Sequence, residues 1–425
     1  MIIVVGGLLL FFLVMDSLLI FFSFLLLVSI WVYFFSSYYD GFFLMDFFRR
    51  IIVFISLWVF NLSIVSANIT NLIMFVFLTI MLLILISFSS VNYLMFYISF
   101  EIVFVFIFFF LIMWGATPER LQASFYIFFY TLIFSLPFLL LLVKYLEYFT
   151  ITSFTLFYFS FGGFIFIFII FIFIVKLPLY GFHLWLPKAH VESPVRGSML
   201  LAGVLLKLGG YGLLRFLPSI VFLSFFSRIF INLIFYLSLV GGLYASFLCI
   251  RQIDLKIIIA YSSVVHISIG YLGLAIYSLG GSLGAVLMLV SHGFISPLLF
   301  FLINEIYFRL RRRSLLVLKG VLISSPLFCL FWFISCRLNL SFPPFMSFFS
   351  EVLIISGISF LGIVDWLLIF FSCLFTGFYC IYMYVSASHG ESIVWGILLT
   401  PKVFLVRISH LFFVVFYPLV IFFPY

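Results

Sequence analysis

The stretch Phe-Ile-Phe-Ile-Phe-Ile-Ile-Phe-Ile-Phe-Ile-Val-Lys-Leu-Pro, residues 164–178, decides the fold class. Twelve apolar residues run without a polar one, then a lysine and a proline follow at once. In lipid every backbone N–H and C=O must find a partner within the protein, so only helices and closed barrels cross a bilayer. A barrel strand alternates apolar and polar residues. This stretch does not, so it reads as helix.

The same character extends outward over the whole chain. Its 425 residues are 67% hydrophobic and only 8% charged, with a mean hydropathy of +1.46. A soluble domain carries about 25% charged residues. Cutting at charges, Pro/Gly pairs and polar clusters predicts about fourteen spans, each long enough for a hydrocarbon core of roughly 30 Å. They fall near 1–15, 17–36, 51–66, 69–90, 93–114, 121–145, 163–186, 196–216, 229–250, 257–279, 282–306, 321–358, 362–386 and 402–423. Met1–Met15 lacks a charged leader and a small-residue cleavage site, and reads as a retained helix. The whole of 1–425 reads as one polytopic domain.

The net charge of +8 is not a nucleic-acid signature, because the basic residues are scattered through connecting loops. Eleven Lys and Arg flank the odd-numbered loops (Arg120, Lys188, Arg196, Arg251, Lys256, Arg309, Arg311, Arg312, Arg313, Lys319 and Lys402) against five on the even side (Arg49, Arg50, Lys144, Arg215 and Arg228). The positive-inside rule then places the odd loops inside and both termini outside. Cys249, Cys329, Cys336, Cys373 and Cys380 form no C-x-x-C and no local Cys/His cluster, so they read as small apolar residues. No G-x-G-x-x-G, Walker A or H-E-x-x-H motif occurs.

Two spans are interrupted, the seventh around Pro178–Pro187 and the twelfth around Pro343–Pro344. The breaks lie five spans apart, so equivalent units would be inverted relative to one another, over approximately 69–216 and 229–386. Broken helices at matching places in two halves are a sequence sign of inverted-repeat transporters. The competing reading is coincidence, since proline is common in membrane helices.

Ionisable residues within such spans carry the functional argument. A charge at the bilayer centre costs about 3 kcal/mol on insertion scales. Glu101 lies inside the fifth span, Lys176 just before the seventh-span break, Lys207 in the eighth, and Glu351 after the twelfth-span break. His266 and His292 lie in the tenth and eleventh. Glu101 and Lys176 read as a coupled pair or as a static packing contact. Burial disfavours the charged form of either group and an opposite charge restores it, so moving a proton at one site alters affinity at the other. Lys207 has no local acidic partner and suits a proton carrier, or else faces a water-filled crevice. Histidine titrates near neutrality, although a lone buried one is often only hydrogen-bonded. A bis-histidine haem site would leave the Lys and Glu residues unexplained. Lys144 with Glu147, and Arg407 with Lys402, read as snorkelling sets near helix ends; Arg337 is placed to line a cavity at the second break, and His183, inside the first, reads as structural or as part of a water path.

Residues 175–194, Val-Lys-Leu-Pro-Leu-Tyr-Gly-Phe-His-Leu-Trp-Leu-Pro-Lys-Ala-His-Val-Glu-Ser-Pro, resemble the hallmark of the subunit 4 family of NADH dehydrogenase. Residues 197–212, Gly-Ser-Met-Leu-Leu-Ala-Gly-Val-Leu-Leu-Lys-Leu-Gly-Gly-Tyr-Gly, continue it, with Trp-Gly-Ala-Thr-Pro-Glu-Arg-Leu at 114–121 and Arg-Gln-Ile-Asp-Leu-Lys at 251–256. Ala-Tyr-Ser-Ser-Val-Val-His at 260–266 and Ser-His-Gly at 291–293 also fit. The resemblance runs from about residue 90 to 385; Arg196, where a small apolar residue is expected, departs from it. What it implies is an all-α antiporter-like membrane fold of about fourteen helices, with two inverted five-helix repeats each containing a broken helix. It implies a proton-translocating subunit of respiratory complex I in the mitochondrial inner membrane, with Glu101, Lys176, Lys207, His266, His292 and Glu351 as the relay. Quinone reduction elsewhere in the complex would drive it. It implies no cofactor in this chain, with NADH, FMN, iron–sulfur clusters and ubiquinone bound by other subunits. The implied partners are the antiporter-like subunits 2 and 5 and lipids including cardiolipin, with no nucleic acid. The alternative is a free-standing cation/proton antiporter; a third reading is a structural spacer within a complex.

Overall fold

The computed structural model describes residues 39–40, 43–44, 46–65, 71–115, 117–148, 163–221, 225–276, 278–310, 312–315, 318–358, 362–390 and 407–411. The spans expected at 1–15 and 17–36 lie outside these residues, as do most of 402–423 and the side chains of Lys144 and Glu147.

A two-residue hairpin, β1 (Tyr39–Asp40) with β2 (Phe43–Leu44), precedes the helices. The helices are α1 (Phe47–Val65), α2 (Asn71–Ser89), α3 (Tyr93–Trp114), α4 (Arg120–Tyr148), α5 (Gly163–Lys176) and α6 (Trp185–Glu192). There follow α7 (Val195–Leu200), a π-helical turn (Leu201–Leu205), α8 (Leu206–Val221), α9 (Phe225–Arg251), α10 (Leu255–Ala275) and α11 (Leu279–Leu310). The remainder are α12 (Val321–Ser324), α13 (Pro326–Asn339), α14 (Met346–Gly357) and α15 (Ile363–Ser388). Nine helical spans among the described residues are long and apolar enough to cross a bilayer. The chain is a multi-pass membrane protein.

Burial sorts these spans into a centre and a rim. Within α11 (Leu279–Phe308) an 18-residue apolar stretch is wholly buried, and the matching stretches of Val195–Leu217 and Leu255–Ala275 are 89% buried, whereas only 28% of that in the α4 span Arg120–Val143 is. Helices apolar all round belong either to a core or to lipid, and here composition does not separate the two; packing does. The central helices α8, α10 and α11 bear Lys207, His266 and His292, so the ionisable groups sit where protein rather than lipid surrounds them.

Both interruptions are observed. The first runs over 177–184, between α5 and α6. Pro187 was expected to belong to the break, but it lies in the first turn of α6, where its missing N–H has no intrahelical partner to lose. The Trp185 indole N–H donates to the Val175 carbonyl at 3.0 Å and ties the two arms together. The second runs over 340–345, between α13 and α14. At 1.5 Å per residue these arms are roughly 21 and 18 Å long, so neither crosses a 30 Å core alone and together they do. The segment 321–358 is therefore one interrupted crossing.

Candidate functional site: a buried polar line

Glu101 projects from the middle of α3 and meets Lys176 at the last residue of α5, with Oε1 2.9 Å from Nζ. The Lys176 side chain is fully buried. Phe100 and Phe104, one residue before Glu101 and one turn after it, face the ammonium at 3.9 and 3.5 Å from their ring centroids. A single face of α3 thus supplies both the counter-charge and the aromatic surfaces that replace hydration.

Lys207 sits two residues beyond the π-helical turn. A π turn widens the helix by one residue and commonly marks functional sites. Its ammonium donates to the Ala202 carbonyl at 2.5 Å and lies 3.1 Å from His292 Nδ1. No carboxylate touches it among the described residues. Space for this side chain depends on Gly293, where an added Cβ would lie 2.9 Å from Lys207 Cε. Two residues past Lys207, a Cβ on Gly209 would lie 3.2 Å from the Lys176 carbonyl carbon, so the first break packs directly on α8.

Beyond His292 the line continues. The His266 and His292 rings lie 6.1 Å apart between centroids. His266 Nε2 is 3.0 Å from Asn339 Oδ1, and the Asn339 amide nitrogen donates to Cys380 Sγ at 3.5 Å. Asn339 is the last residue of α13. Two residues on, Ser341 donates its hydroxyl to Glu351 Oε1 at 2.6 Å. Ser341 has a φ of 59°, a left-handed conformation that costs a non-glycine residue about 1–2 kcal/mol and that clusters at functional sites. The second break thus holds one end of the line and the first break the other.

Side-chain chemistry gives the line a direction of donors and acceptors. A charged Lys207 offers only donors, so His292 Nδ1 accepts and Nε2 carries the hydrogen. Asn339 Oδ1 only accepts, so His266 Nε2 donates and Nδ1 presents a lone pair. His292 Nε2 and His266 Nδ1, a donor and an acceptor, are each buried with no hydrogen-bond partner.

All six residues singled out in the sequence lie on this line or at the Glu101–Lys176 pair joined to it through Gly209. One correction concerns a residue assigned to a helix end. Arg407 does not snorkel: it is fully buried and ion-paired with Glu305, because it faces α11 rather than the bilayer surface. Arg337 stands beside the second break, its guanidinium 4.2 Å from the Phe333 ring and 5.0 Å from that of Phe342 within the break. His183 accepts the Gly181 N–H at 3.2 Å and stacks on Tyr180, shaping the first break. Asn339 carried no charge to draw notice in the sequence. His190, buried against Phe300 at 4.7 Å, lies close enough to Lys207 and Lys256 to feel both charges; its place in the sequence motif was the only signal.

Residues 90–378 match the family model described as NADH:quinone oxidoreductase/Mrp antiporter, TM. NADH-ubiquinone oxidoreductase chain 4 of Locusta migratoria is 38% identical over 89% of this chain and 86% of its own. The same-named protein of Artemia franciscana is 38% identical over 80% and 86%. The fold resembles a chain of respiratory complex I from Thermus thermophilus, with a TM-score of 0.83 and 19% identity over 93% of this chain and 88% of that one. Among the described residues no group of three or more His, Cys, Asp or Glu is placed to hold a metal ion. Identity of this extent over most of both lengths, on a shared fold, makes the chain a member of the NADH-ubiquinone oxidoreductase chain 4 family, antiporter-like membrane subunits of respiratory complex I.

Proposed function

We propose that the chain moves protons across the mitochondrial inner membrane through Glu101, Lys176, Lys207, His292, His266 and Glu351, as a subunit of NADH:ubiquinone oxidoreductase. The observation that carries this reading is the contact of Lys207 with His292 and, among the described residues, with no carboxylate. An unpaired lysine in an apolar interior is the group whose charge responds most to protonation changes around it.

The relay runs Lys207, His292, His266, then Glu351, so the histidines act in the reverse of their sequence order. Lys207 gives a proton to His292 Nδ1, and the Nε2–H leaves the other side of the ring. One water suits the remaining step to His266 Nδ1. Asn339 has no titratable group and cannot pass a proton; it fixes the His266 tautomer. The proton released from His266 Nε2 reaches Glu351 by water in the second break, where Ser341 orients the carboxylate. Each passage inverts the tautomer of both rings, which must reset before the next. Glu101 and Lys176 set the field at Lys207, and a shift in that pair, passed from a neighbouring subunit, changes the lysine's hold on its proton.

The remaining assignments are parts of the same reading. The two interrupted crossings belong to inverted repeats over about 69–216 and 229–386. Subunits 2 and 5 of the complex and cardiolipin are the neighbours. NADH, FMN, iron–sulfur clusters and ubiquinone belong to other subunits, and quinone reduction there supplies the energy. Each charge moved against the potential costs about 2.3 kcal/mol per 100 mV.

The test uses the intact complex in sealed vesicles. Lys207→Ala is expected to leave NADH oxidation and assembly in place while lowering protons moved per NADH. An unchanged ratio overturns the relay. Exchange of sodium or potassium by the purified chain alone favours a free-standing antiporter.

A further inference from the structure

The relay leaves the buried polar groups around residues 407–411 unused. Residues 407–411 form a helical turn whose Arg407 and His410, three apart, share one face. Arg407 is ion-paired with Glu305 near the end of α11, and both side chains are sequestered. His410 is 1% exposed, lies 6.3 Å from the Trp58 ring and sits against the backbone of Phe294. Beyond that backbone contact neither of its ring nitrogens has a hydrogen-bond partner, and Glu305 Oε1 and both amide atoms of Asn61, one turn from Trp58 on α1, have none. Phe294 follows Gly293, the residue against which Lys207 packs.

An orphaned polar atom in an apolar interior costs about 1–3 kcal/mol. A set of them spread between α1, α11 and residues 407–411 is expected to hold bridging water, which needs two to four polar partners. Glu305 lies five residues from the end of α11, roughly 7 Å along its axis, next to the basic stretch that contains Arg312 and Arg313. Phe294 lies about 16 Å deeper on the same helix. His410 therefore stands at the deep end of a polar strip whose shallow end is Glu305–Arg407.

We propose that His410 and Glu305 form a lateral proton branch, bridged by water, that loads the Lys207–His292 centre from the face bearing Arg312 and Arg313. In each step an O–H or N–H bond breaks at the donor as one forms at the acceptor. The order is bulk water, Glu305 Oε1, His410, then His292 or Lys207, and Arg407 keeps its charge throughout. The proposal rests on the relay reading above.

His410→Gln keeps a polar side chain of similar size but cannot relay a proton. In the intact complex in vesicles it is expected to slow coupled proton uptake by about a hundredfold, at the low end of what a positioned acid–base group supplies. The solvent deuterium isotope effect on that uptake should rise, which a packing defect would not produce. Glu305→Gln should give the same signature from the other end, and it serves as the test if His410→Gln does not assemble. Uptake at the parent rate with an unchanged isotope effect in Glu305→Gln, or in an assembled His410→Gln complex, overturns the branch. If Lys207→Ala lowers the pumping ratio in the same assay, the relay stands without the branch; if Lys207→Ala is silent too, the relay itself is wrong.

Discussion

Lys176 and Lys207 are two lysines in one apolar interior, each about 1% exposed, and the chain accommodates them in opposite ways. Lys176 has a carboxylate at 2.9 Å and two aromatic faces. Lys207 has a backbone carbonyl and an imidazole. The first environment holds a charge in place, since an opposite formal charge favours the ionised form whatever happens further away. The second provides hydrogen bonds without a counter-charge, so the state of Lys207 depends on its surroundings. The packing of Gly209 on the Lys176 backbone joins the two. In the proposed relay one lysine senses and the other carries, and the difference lies in their partners.

Removing the counter-charge should break this contrast most severely. Glu101→Gln leaves the Lys176 ammonium buried without an opposite charge, at a cost of about 3–5 kcal/mol. Reduced recovery of assembled complex, or a lowered thermal midpoint, measures it. Adding Lys176→Met to Glu101→Gln should restore assembly, because no uncompensated charge then remains buried. Proton pumping should stay impaired in the double variant. Full recovery of pumping would make the pair a packing device.

The converse change makes Lys207 resemble Lys176. His292→Asp sets a carboxylate beside the ammonium and removes the imidazole. The complex should still assemble, while protons per NADH fall and the pumping rate drops by about a hundredfold, the scale of a lost acid–base group. Normal pumping with an Asp at this position would mean that Lys207 needs no responsive charge.

How much of this was legible in the sequence differs along the line. Glu101, Lys176, Lys207 and Glu351 stood out because an ionisable residue in an apolar run violates the strongest compositional rule of membrane helices. The helices themselves were legible for the same reason, and α3 was placed to the residue. Asn339 and Ser341 were not legible, since small polar residues are common in this chain and neither carries a charge. The reversed order of the histidines was also hidden: sequence position orders them along the chain, whereas the packing of α8, α10 and α11 decides which ring faces Lys207. Arg407 was misread for a related reason. A basic residue near a predicted helix end looks like an anchor, and its partner Glu305 lies about a hundred residues away.

The smallest expected effect sharpens the comparison at the far end of the line. Glu351 has no cation at hand among the described residues; its named partner is the Ser341 hydroxyl, so it resembles Lys207 more than Glu101. Ser341→Ala removes one hydrogen bond to the carboxylate, worth about 1 kcal/mol net, or roughly fivefold in the proton affinity of Glu351. It retains the strained left-handed backbone, which Ala tolerates no better than Ser. Assembly and stability should therefore stay close to the parent, and the pH at which pumping is half-maximal should shift upward, because the lost donor stabilised the carboxylate form. Ser341→Gly adds a control: it relieves the backbone and removes the same hydroxyl, so it should gain stability and show the same shift. A shift in one variant but not the other would assign the effect to backbone geometry at the break instead of to the hydrogen bond on Glu351.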